Sequence, residues 1–571
     1  MNRRESLKSL LGAGAIFGAC RSFAQSTGKP VNQDDHDMVA GEDKASNALM
    51  AHAMKMGGII PVPTRSYDNL RSCANTKETT LTPALVRRNP LRKHFSMVLP
   101  GDARGLEAQP LFLPGVTIAD GTTHDVCLLA TMANQVWAYD ANDGTPLWMV
   151  RLGQPINGSR AIDYWTINDH WGILSTPVID ADRKTVYCVA WTSNDGTANN
   201  GAHWFFELNL KDGSQPRPPI QLTKPSKMPR KQRSSLTLAS IAGKKTVLIP
   251  WGTILETAQG AHGYITAVDL TTWKVAAEFN TTAKGNGAGI WQAGQGLLVD
   301  SGGDFYCMTG NGDYDGVNNW GECFLKLRYD GSSIRVIDHY SPFQDKDRQA
   351  AYDDMDLGSG GPSLIPELGL LFGAGKDSIL YVLPWRKLAS PTLPPIWYGF
   401  YPGNGIDTRN LTNLDKMWFN RSHHVHSSSV VWKAADGWRV FCWPENGNLR
   451  AWHMDAQGAH YLGCSAEVAS ANAPVPPGGM PGGQLCLSAN GNTDGIVWAC
   501  VPLGDANRSV SQGYLYAYDA TTLGKYSDGS GSIEKIWQTT EYTYNKFNPP
   551  VVNAGRVYVP TYAGSVDVWG I

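Results

Sequence analysis

Short segments of alternating apolar and polar residues recur along the chain, and a turn sequence follows each of them. Apolar side chains at every second position predict a β-strand that buries one face. A D-x-x-x-G sequence, or a similar one, then predicts a reversal into another strand. Eight copies of this signature occur, about 50–70 residues apart, at residues 135–148, 204–214, 263–279, 323–337, 379–388, 449–462, 514–525 and 565–571.

Further strand candidates lie between the copies, so each repeat supplies about four short strands. One such sheet cannot bury its faces, whereas a closed ring of sheets can. The pattern therefore predicts an all-β fold, an eight-bladed β-propeller. We expect residues 556–571 to complete the last blade together with a strand near Gln109–Leu113. The alternatives are tandem β-sandwiches, which would not repeat one turn along the whole chain, and a β-helix, whose period would be shorter.

The composition agrees with short strands, tight turns and buried aromatic side chains. The chain contains 61 Gly and 20 Trp, and only 18% of its residues are charged. Its formal net charge is -2 without a basic stripe, so we do not expect nucleic acid as a partner. The ten cysteines include no CxxC pair, which argues against a zinc or iron–sulfur cage. We expect the cysteines in apolar runs to be small core residues, although disulfides stay open for an exported protein.

Residues 1–24 have the layout of an export signal, with Arg3 and Arg4 followed by an apolar run and small residues. The paired arginines resemble a twin-arginine signal, whereas Cys20 lies in a poor context for lipidation. The apolar run is too short for a membrane span, so we predict no transmembrane segment. We expect a soluble periplasmic or extracellular protein, with an irregular leader at residues 25–94 and the propeller at residues 95–571.

Several repeats resemble those of a known superfamily. The segments QVWAYDANDGTPLW, YLYAYDATTLGK and GKDSILYVL are similar to the repeats of the pyrroloquinoline quinone (PQQ) propellers, and the resemblance covers about residues 95–571. That superfamily contains alcohol and methanol dehydrogenases as well as non-catalytic members, so the repeat indicates a fold more than a function. In the dehydrogenases, PQQ lies near the propeller axis beside a calcium or lanthanide ion.

The stretch from Gly287 onward carries residues that match the dehydrogenase site. The resemblance implies that Trp291 forms the floor of the cofactor pocket and that Asn311 is a metal ligand. It implies that Asp356 is the catalytic base or a further metal ligand, and that Lys376 contacts the quinone oxygen. The side chains of Asn311 and Asp356 suit these roles, because Ca²⁺ prefers hard oxygen ligands and a carboxylate can take the proton of an alcohol.

Two departures from the dehydrogenase pattern stand beside these matches. Glu256 lies close to the position of the metal-binding Glu but is displaced by about two residues. The adjacent Cys–Cys pair that many dehydrogenases place over PQQ is absent. For every site residue the alternative is a structural role, with Asp353, Asp354 and Asp356 capping turns and Asn311 serving as a turn residue.

The resemblance therefore implies a quinoprotein-like oxidoreductase that acts on an unknown alcohol or sugar. It would use PQQ with calcium or a lanthanide and, because no CxxCH sequence is present, an external electron acceptor. The rival is a non-catalytic propeller that binds a protein partner. A third hypothesis rests on His424 and His426, which share one face of an extended segment and could hold copper or zinc, although the sequence identifies no third ligand.

Overall fold

The computed structural model describes residues 58–256, 258–342, 354–388, 397–400, 423–473 and 478–571. The predicted export signal, Cys20 and Asp353 lie outside these ranges. The regular secondary structure of the described residues is almost entirely β, and the α-helix found among them is Pro83–Arg88. No helix in these ranges combines the length and the apolar character that crossing a bilayer requires.

The strands form antiparallel sheets of four, which we name I to VIII and give in pairing order. Sheets I to IV consist of Val551–Asn553, Arg556–Thr561, Ser565–Gly570 and Arg92–Val98 (I); Leu111–Thr117, Thr123–Ala130, Gln135–Asp140 and Pro146–Arg151 (II); Val178–Asp180, Thr185–Thr192, Ala202–Asn209 and Ile220–Gln221 (III); Thr237–Ile241, Lys244–Thr253, Tyr264–Asp269 and Lys274–Asn280 (IV).

The remaining sheets follow the same plan. They consist of Leu298–Val299, Phe305–Met308, Phe324–Tyr329 and Ile334–Tyr340 (V); Ser363–Ile365, Leu370–Ala374, Ile379–Pro384 and Trp397–Phe400 (VI); Val430–Ala434, Gly437–Cys442, Asn448–Asp455 and Gly458–Val468 (VII); Gln484–Asn490, Thr493–Pro502, Gln512–Lys525 and Gly531–Gln538 (VIII). The other short elements are strands Ala74–Asn75, Ile156–Asn157, His170–Trp171, Arg230–Lys231 and Tyr542–Thr543, and 3-10 turns Gln292–Gly294, Leu357–Ser359 and Pro366–Leu368.

Each predicted signature overlaps the third strand of its sheet in pairing order, and four of them, at 135–148, 263–279, 323–337 and 449–462, continue into the fourth strand. The turn after it works as its sequence suggests. In sheet II, the Gly144 N–H donates to the Asp140 carbonyl at 2.9 Å, and Gly144 takes a left-handed backbone with φ of 79°. A side chain at Gly144 would also run into Phe95. Glycine is therefore required there both for the backbone and for the close approach of sheet I.

Neighbouring sheets pack face to face through apolar side chains. Leu128 of sheet II and Val186 of sheet III, for example, belong to one buried cluster. The same holds for each successive pair, and Trp498 of sheet VIII shares a cluster with Val557 of sheet I. Sheets VII and VIII also join by one parallel pair, Cys464 opposite Ser532. The packing order is therefore cyclic, and the closure buries both faces of each sheet.

The cysteines in apolar strands are small core residues, as predicted. Cys127, Cys188, Cys307, Cys442 and Cys500 are all fully buried. No disulfide joins any of the cysteines within the described ranges. The thiols there contribute packing, and burial raises the pKa of Cys188 to about 12, which makes its thiolate rare.

The closing strand differs from the one predicted. Residues 565–570 pair with Arg92–Val98, in a register that places Met97 opposite Val566, and not with a strand near Gln109–Leu113. Leu111–Thr117 is instead the first strand of sheet II. The reason is physical: Arg92–Val98 is the outermost strand, with mostly exposed side chains, so it carries a weak apolar pattern. Leu111 and its neighbours are almost fully buried, so their sequence has a stronger apolar pattern than that of Arg92–Val98.

The described part of the predicted leader is closely integrated into the fold. Residues 59–75, which we call the plug segment, exchange hydrogen bonds with every sheet from I to VIII. The bonds join Ile60 to Asn553, Val62 to Phe112, Pro63 to Ile179, Asn69 to Leu238 and Val299, Arg71 to Ser363, Ser72 to Val431 and Cys73 to Leu487. In each case the partner lies on the first strand of its sheet.

Arg71 is the best-connected side chain of the plug segment. Its guanidinium is fully buried and donates five hydrogen bonds. Two go to the Leu297 carbonyl at 3.0 and 2.7 Å, and one goes to Thr237 Oγ1 at 2.7 Å. The other two bind Thr64 Oγ1 and the Arg65 carbonyl within the plug segment itself. Burial lowers the pKa of Arg71 to about 10, so the side chain remains charged near neutrality.

We expect Arg71→Met to lower the free energy of unfolding by about 3 kcal/mol or more, because several buried acceptors lose their donor at once. The change keeps a long apolar stem and removes only the guanidinium. Urea unfolding followed by tryptophan fluorescence measures it. Arg151→Met is the matched control at an exposed strand position. Equal unfolding midpoints for the two variants would contradict the role assigned to Arg71.

Candidate cofactor and metal site

A cavity of about 450 Å³ collects loops from around the cyclic array of sheets. That volume is within the usual range for a small-molecule or cofactor site. Five of the residues singled out in the sequence line it: Glu256, Trp291, Asn311, Asp356 and Lys376. They come from successive connections of sheets IV, V and VI. The structure therefore brings the predicted set together, while their individual roles stay predictions.

Asp356 lies at the centre of the set. Its side chain is fully buried, and the Trp291 indole N–H donates to both carboxylate oxygens, at 3.1 and 2.9 Å. Its backbone is left-handed, with φ of 30° and ψ of 69°. For a non-glycine residue this conformation stores strain on the order of 1–3 kcal/mol and is concentrated at functional sites. Gly310 leaves the room that the carboxylate occupies, since a Cβ there would lie 2.1 Å from Asp356 Oδ1.

Asn311 connects the other acids to Asp356. Its amide nitrogen donates to Asp354 Oδ1 at 2.9 Å and to Glu256 Oε2 at 3.2 Å. Its amide oxygen accepts the Asp356 backbone N–H at 3.1 Å. The carboxylates of Glu256, Asp354 and Asp356 each offer an oxygen within 4.8 Å of the other two. Three carboxylates and one amide at this spacing form an oxygen-donor set of the kind that hard cations prefer.

Lys376 supplies the positive charge within the set. Its ammonium lies 2.8 Å from Asp354 Oδ1 and 3.2 Å from Asp356 Oδ2. It also lies 5.9 Å from the centre of the Trp291 ring. Burial works against its charge, but the neighbouring carboxylates of Asp356, Asp354 and Glu256 outweigh this effect and raise the pKa of Lys376 above its ordinary value. The ammonium thus keeps three acids close together.

The two aspartates respond differently to this environment. Burial raises the pKa of Asp356 to about 7, against the pull of Lys376 and with help from Glu256 and Asp354. Asp354 is more exposed. Desolvation also opposes its ionisation, but Lys376 and the hydrogen bonds from Lys376 and Asn311 lower its pKa. The site therefore holds an ionised carboxylate beside one that can take up a proton near neutrality.

Glu322 supports Asp356 from behind. It is buried, and its Oε2 accepts the Leu357 N–H at 2.6 Å. Burial and the nearby Asp356 raise the pKa of Glu322 well above its ordinary value. The hydrogen bond fixes the 3-10 turn Leu357–Ser359 that directly follows Asp356. Glu322 acts through this turn and is therefore a positioning residue.

A second part of the cavity wall is cationic. Lys231, Arg233, Lys546 and Arg508 line it. Arg233 forms a buried ion pair with Glu107, and Arg508 lies 3.2 Å from Asp505, which also lines the cavity. Burial lowers the pKa of Lys231 to about 8, and Arg233 adds to that effect. Burial also lowers the pKa of Lys546. A ligand with several negative charges would offset the repulsion between Lys231 and Arg233. The N–H groups of these side chains would donate hydrogen bonds to it.

The histidine pair of the third hypothesis also reaches this cavity. His424 Nδ1 lies 3.0 Å from Glu445 Oε1, and His426 Nε2 lies 3.8 Å from Glu445 Oε2. The His426 ring centre is 5.9 Å from that of Trp291. Glu445 is the third candidate ligand that the sequence did not identify.

Known structures with the same fold are found at low sequence identity. A quinohemoprotein alcohol dehydrogenase from Comamonas testosteroni aligns with a TM-score of 0.55 at 14% identity, over 92% of this chain and 84% of that one. The quinohemoprotein alcohol dehydrogenase ADHIIG from Pseudomonas putida HK5 gives 0.55 at 14%, over 94% and 83%. A europium-containing methanol dehydrogenase gives 0.52 at 12%, over 90% and 89%.

The chain has the fold of a PQQ-type β-propeller. No protein-family model matches the chain, and neither does any curated protein. The structural likeness agrees with the family to which the repeat sequences are similar. At this identity it shows the fold alone, and the function must be argued from the site.

The residues present fit PQQ and a hard cation. PQQ carries three carboxylates, and Lys231 and Lys546 offer them ammonium groups. Arg233 and Arg508 lie beside these lysines and also pair with Glu107 and Asp505. The Trp291 ring offers an aromatic face at the cavity. Glu256, Asn311, Asp354 and Asp356 offer the oxygens for an ion.

Sequence reasoning missed several of the residues at the site. It considered Asp354 among three close acids without giving it a role at the site, and it did not single out the cationic wall, Glu322 or Glu445. Asp354 could have been assigned to the site, since it stands two residues before Asp356 in an acidic run. Lys231 and Lys546 are separated by more than 300 residues of sequence, about half the chain, and no local signal links them.

We expect Gly310→Ala to weaken binding of a hard trivalent cation at least about tenfold, because the new methyl group displaces the Asp356 carboxylate. Terbium titration, with luminescence sensitised by tryptophan, measures the affinity. Gly58→Ala is the matched control, since a Cβ at Gly58 meets nothing within 4 Å. Terbium binding by Gly310→Ala that equals the wild-type affinity would exclude Asp356 from the ion site.

Proposed function

We propose that this chain is an exported quinoprotein-like oxidoreductase that oxidises an alcohol or a sugar. In this proposal sheets I to VIII are the eight blades of one propeller, and residues 1–24 direct export to the periplasm or the exterior. The observation that carries the proposal is the convergence of Trp291, Asn311, Asp356 and Lys376 within one cavity of suitable size. The fold shared with PQQ-dependent dehydrogenases supports it.

The cationic residues of the cavity would bind PQQ, and the oxygen-donor residues would bind the metal ion. Lys231, Arg233, Lys546 and Arg508 would hold the carboxylates of PQQ, and Trp291 would lie against its ring face. Glu256, Asn311, Asp354 and Asp356 would hold Ca²⁺ or a lanthanide ion. When bound, PQQ supplies a two-electron acceptor, and an external acceptor then removes the electrons.

Asp356 would take the proton of the substrate hydroxyl. Its burial keeps water away from the carboxylate, and the Trp291 N–H fixes the carboxylate orientation. Lys376 lies 3.2 Å from Asp356 Oδ2 and would contact the quinone oxygen while it stabilises the ionised form of the base. Exclusion of water by the buried setting would strengthen each of these interactions.

Reconstitution tests the proposal directly. We expect the chain from residue 25 onward to bind PQQ in the presence of Ca²⁺ or a lanthanide, with a bound-quinone absorption spectrum. Reduction of an artificial dye with a panel of alcohols and sugars then measures turnover. Absence of quinone binding with either metal would reject the proposal and favour a non-catalytic propeller that binds a protein partner.

We expect Asp356→Asn to lower kcat of the reconstituted protein at least about a hundredfold, since a positioned general base contributes a factor of that order or more. Glu367→Gln is the control, because Glu367 lies in an exposed turn of sheet VI and does not line the cavity. The bound-quinone spectrum serves to separate loss of cofactor from loss of proton transfer. Equal kcat values for Asp356→Asn and the control would remove Asp356 as the base.

A further inference from the structure

His424, His426 and Glu445 form a compact cluster at the cavity, separate from the carboxylate set of Asp354 and Asp356. The candidate ligand atoms of the three residues all lie within 4.8 Å of one another. His426 is fully buried, Glu445 is 2% exposed at its side chain, and His424 is 13% exposed. The cluster therefore lies mainly within the protein but borders the cavity.

The His426 ring is the unexplained part of the cluster. Neither of its ring nitrogens has a hydrogen-bond partner, although the side chain is fully buried. An imidazole without partners in the interior is costly, since each unsatisfied buried polar group costs about 1–3 kcal/mol. Its Nε2 lies 3.8 Å from Glu445 Oε2, so the ring faces the carboxylate without bonding it. A cation between the two would satisfy both.

The backbone holds the cluster in place before any ligand arrives. The Glu445 N–H donates to the His424 carbonyl at 3.0 Å, which fixes the two segments to each other. Gln484 donates to the His426 carbonyl at 2.9 Å. Between the histidines, Val425 donates to Gly375 at 3.1 Å and accepts from Ser359. A segment with its backbone anchored at each position pays little further ordering entropy when its side chains bind an ion.

We propose that His424, His426 and Glu445 bind a divalent transition-metal ion, with zinc as the reference ion. Two imidazoles and one carboxylate are a common donor set for zinc and for non-haem iron. With Zn–N bonds of about 2.0–2.1 Å, the donors of a tetrahedral zinc site stand about 3.3 Å apart. Each imidazole lies near this spacing from one of the two carboxylate oxygens: His424 Nδ1 is 3.0 Å from Glu445 Oε1, and His426 Nε2 is 3.8 Å from Glu445 Oε2.

The proposed ion would keep at least one coordination position towards the cavity, because the three protein ligands border it. A water molecule or an oxygen of a cavity ligand can complete the coordination there, as at zinc sites with three protein ligands. Trp291 contacts both clusters, through its ring to His426 and through its N–H to Asp356. The zinc site is argued from its own residues and does not rest on the proposed function.

The test uses the chain from residue 25 onward after removal of metals, without PQQ. Calorimetric titration with Zn²⁺ and absorption titration with Co²⁺ measure affinity and stoichiometry. We expect one tight site per chain and a rise in the unfolding midpoint with added Zn²⁺. Glu445→Gln keeps the size of the side chain and should weaken Zn²⁺ binding at least about tenfold, as should His426→Gln. Failure of the wild-type chain to bind Zn²⁺ would overturn the proposal.

A control and a second variant locate the ion. His262→Gln should leave Zn²⁺ affinity unchanged, because it changes a half-buried histidine outside the cavity. Loss of Zn²⁺ binding in Asp356→Asn, with binding retained in Glu445→Gln, would place the ion at the carboxylates and overturn the proposal. X-ray absorption of the wild-type zinc complex should show two imidazole ligands, which tests the site even if a variant does not fold.

Discussion

The hydrogen bonds between the plug segment and the first strand of each sheet are the constraint on which the rest of the structure depends. In a cyclic array, the first strands leave one edge unpaired, and buried backbone groups need partners. Residues 59–75 bond to the first strand of every sheet from I to VIII, to a backbone group in each sheet except VI, where the Ser363 hydroxyl is the donor. Arg71 concentrates this function, because one buried guanidinium reaches the Leu297 carbonyl and Thr237 as well as its own segment.

The plug segment also supports the cavity. Arg65 donates to the carbonyls of Ala293 and Phe547, at 3.1 and 2.6 Å. Ala293 belongs to the turn that follows Trp291, and Phe547 lines the cavity. A side chain at Gly294 would come within 2.8 Å of the Arg65 guanidinium, so the turn can rest on it only because residue 294 is glycine. The position of the Trp291 ring thus depends on a segment more than 200 residues away in sequence.

Charge balance governs the chemistry that the cavity can support. Lys376 lies within 3.2 Å of Asp354 and Asp356, so it offsets part of their mutual repulsion. A hard cation bound by the same oxygens would take over that task, and Lys376 would then be available to a ligand in the cavity. The His424, His426 and Glu445 cluster offers nitrogen donors and so prefers a different class of ion. Two clusters of different donor chemistry therefore share one cavity.

The sequence by itself determined the local units of this protein. Alternation and D-x-x-x-G turns placed the third strand of each sheet, because such signals depend on neighbours along the chain. The resemblance to the PQQ propellers implied Trp291, Asn311, Asp356 and Lys376 as site residues. Only the tertiary structure decided that Arg92–Val98 closes the array, since an outer strand with exposed side chains has little apolar pattern. Only the tertiary structure also placed Glu445 beside His424 and His426, and Arg71 against the Leu297 carbonyl and Thr237. Those contacts join distant segments after the ring has closed, and no local periodicity records them.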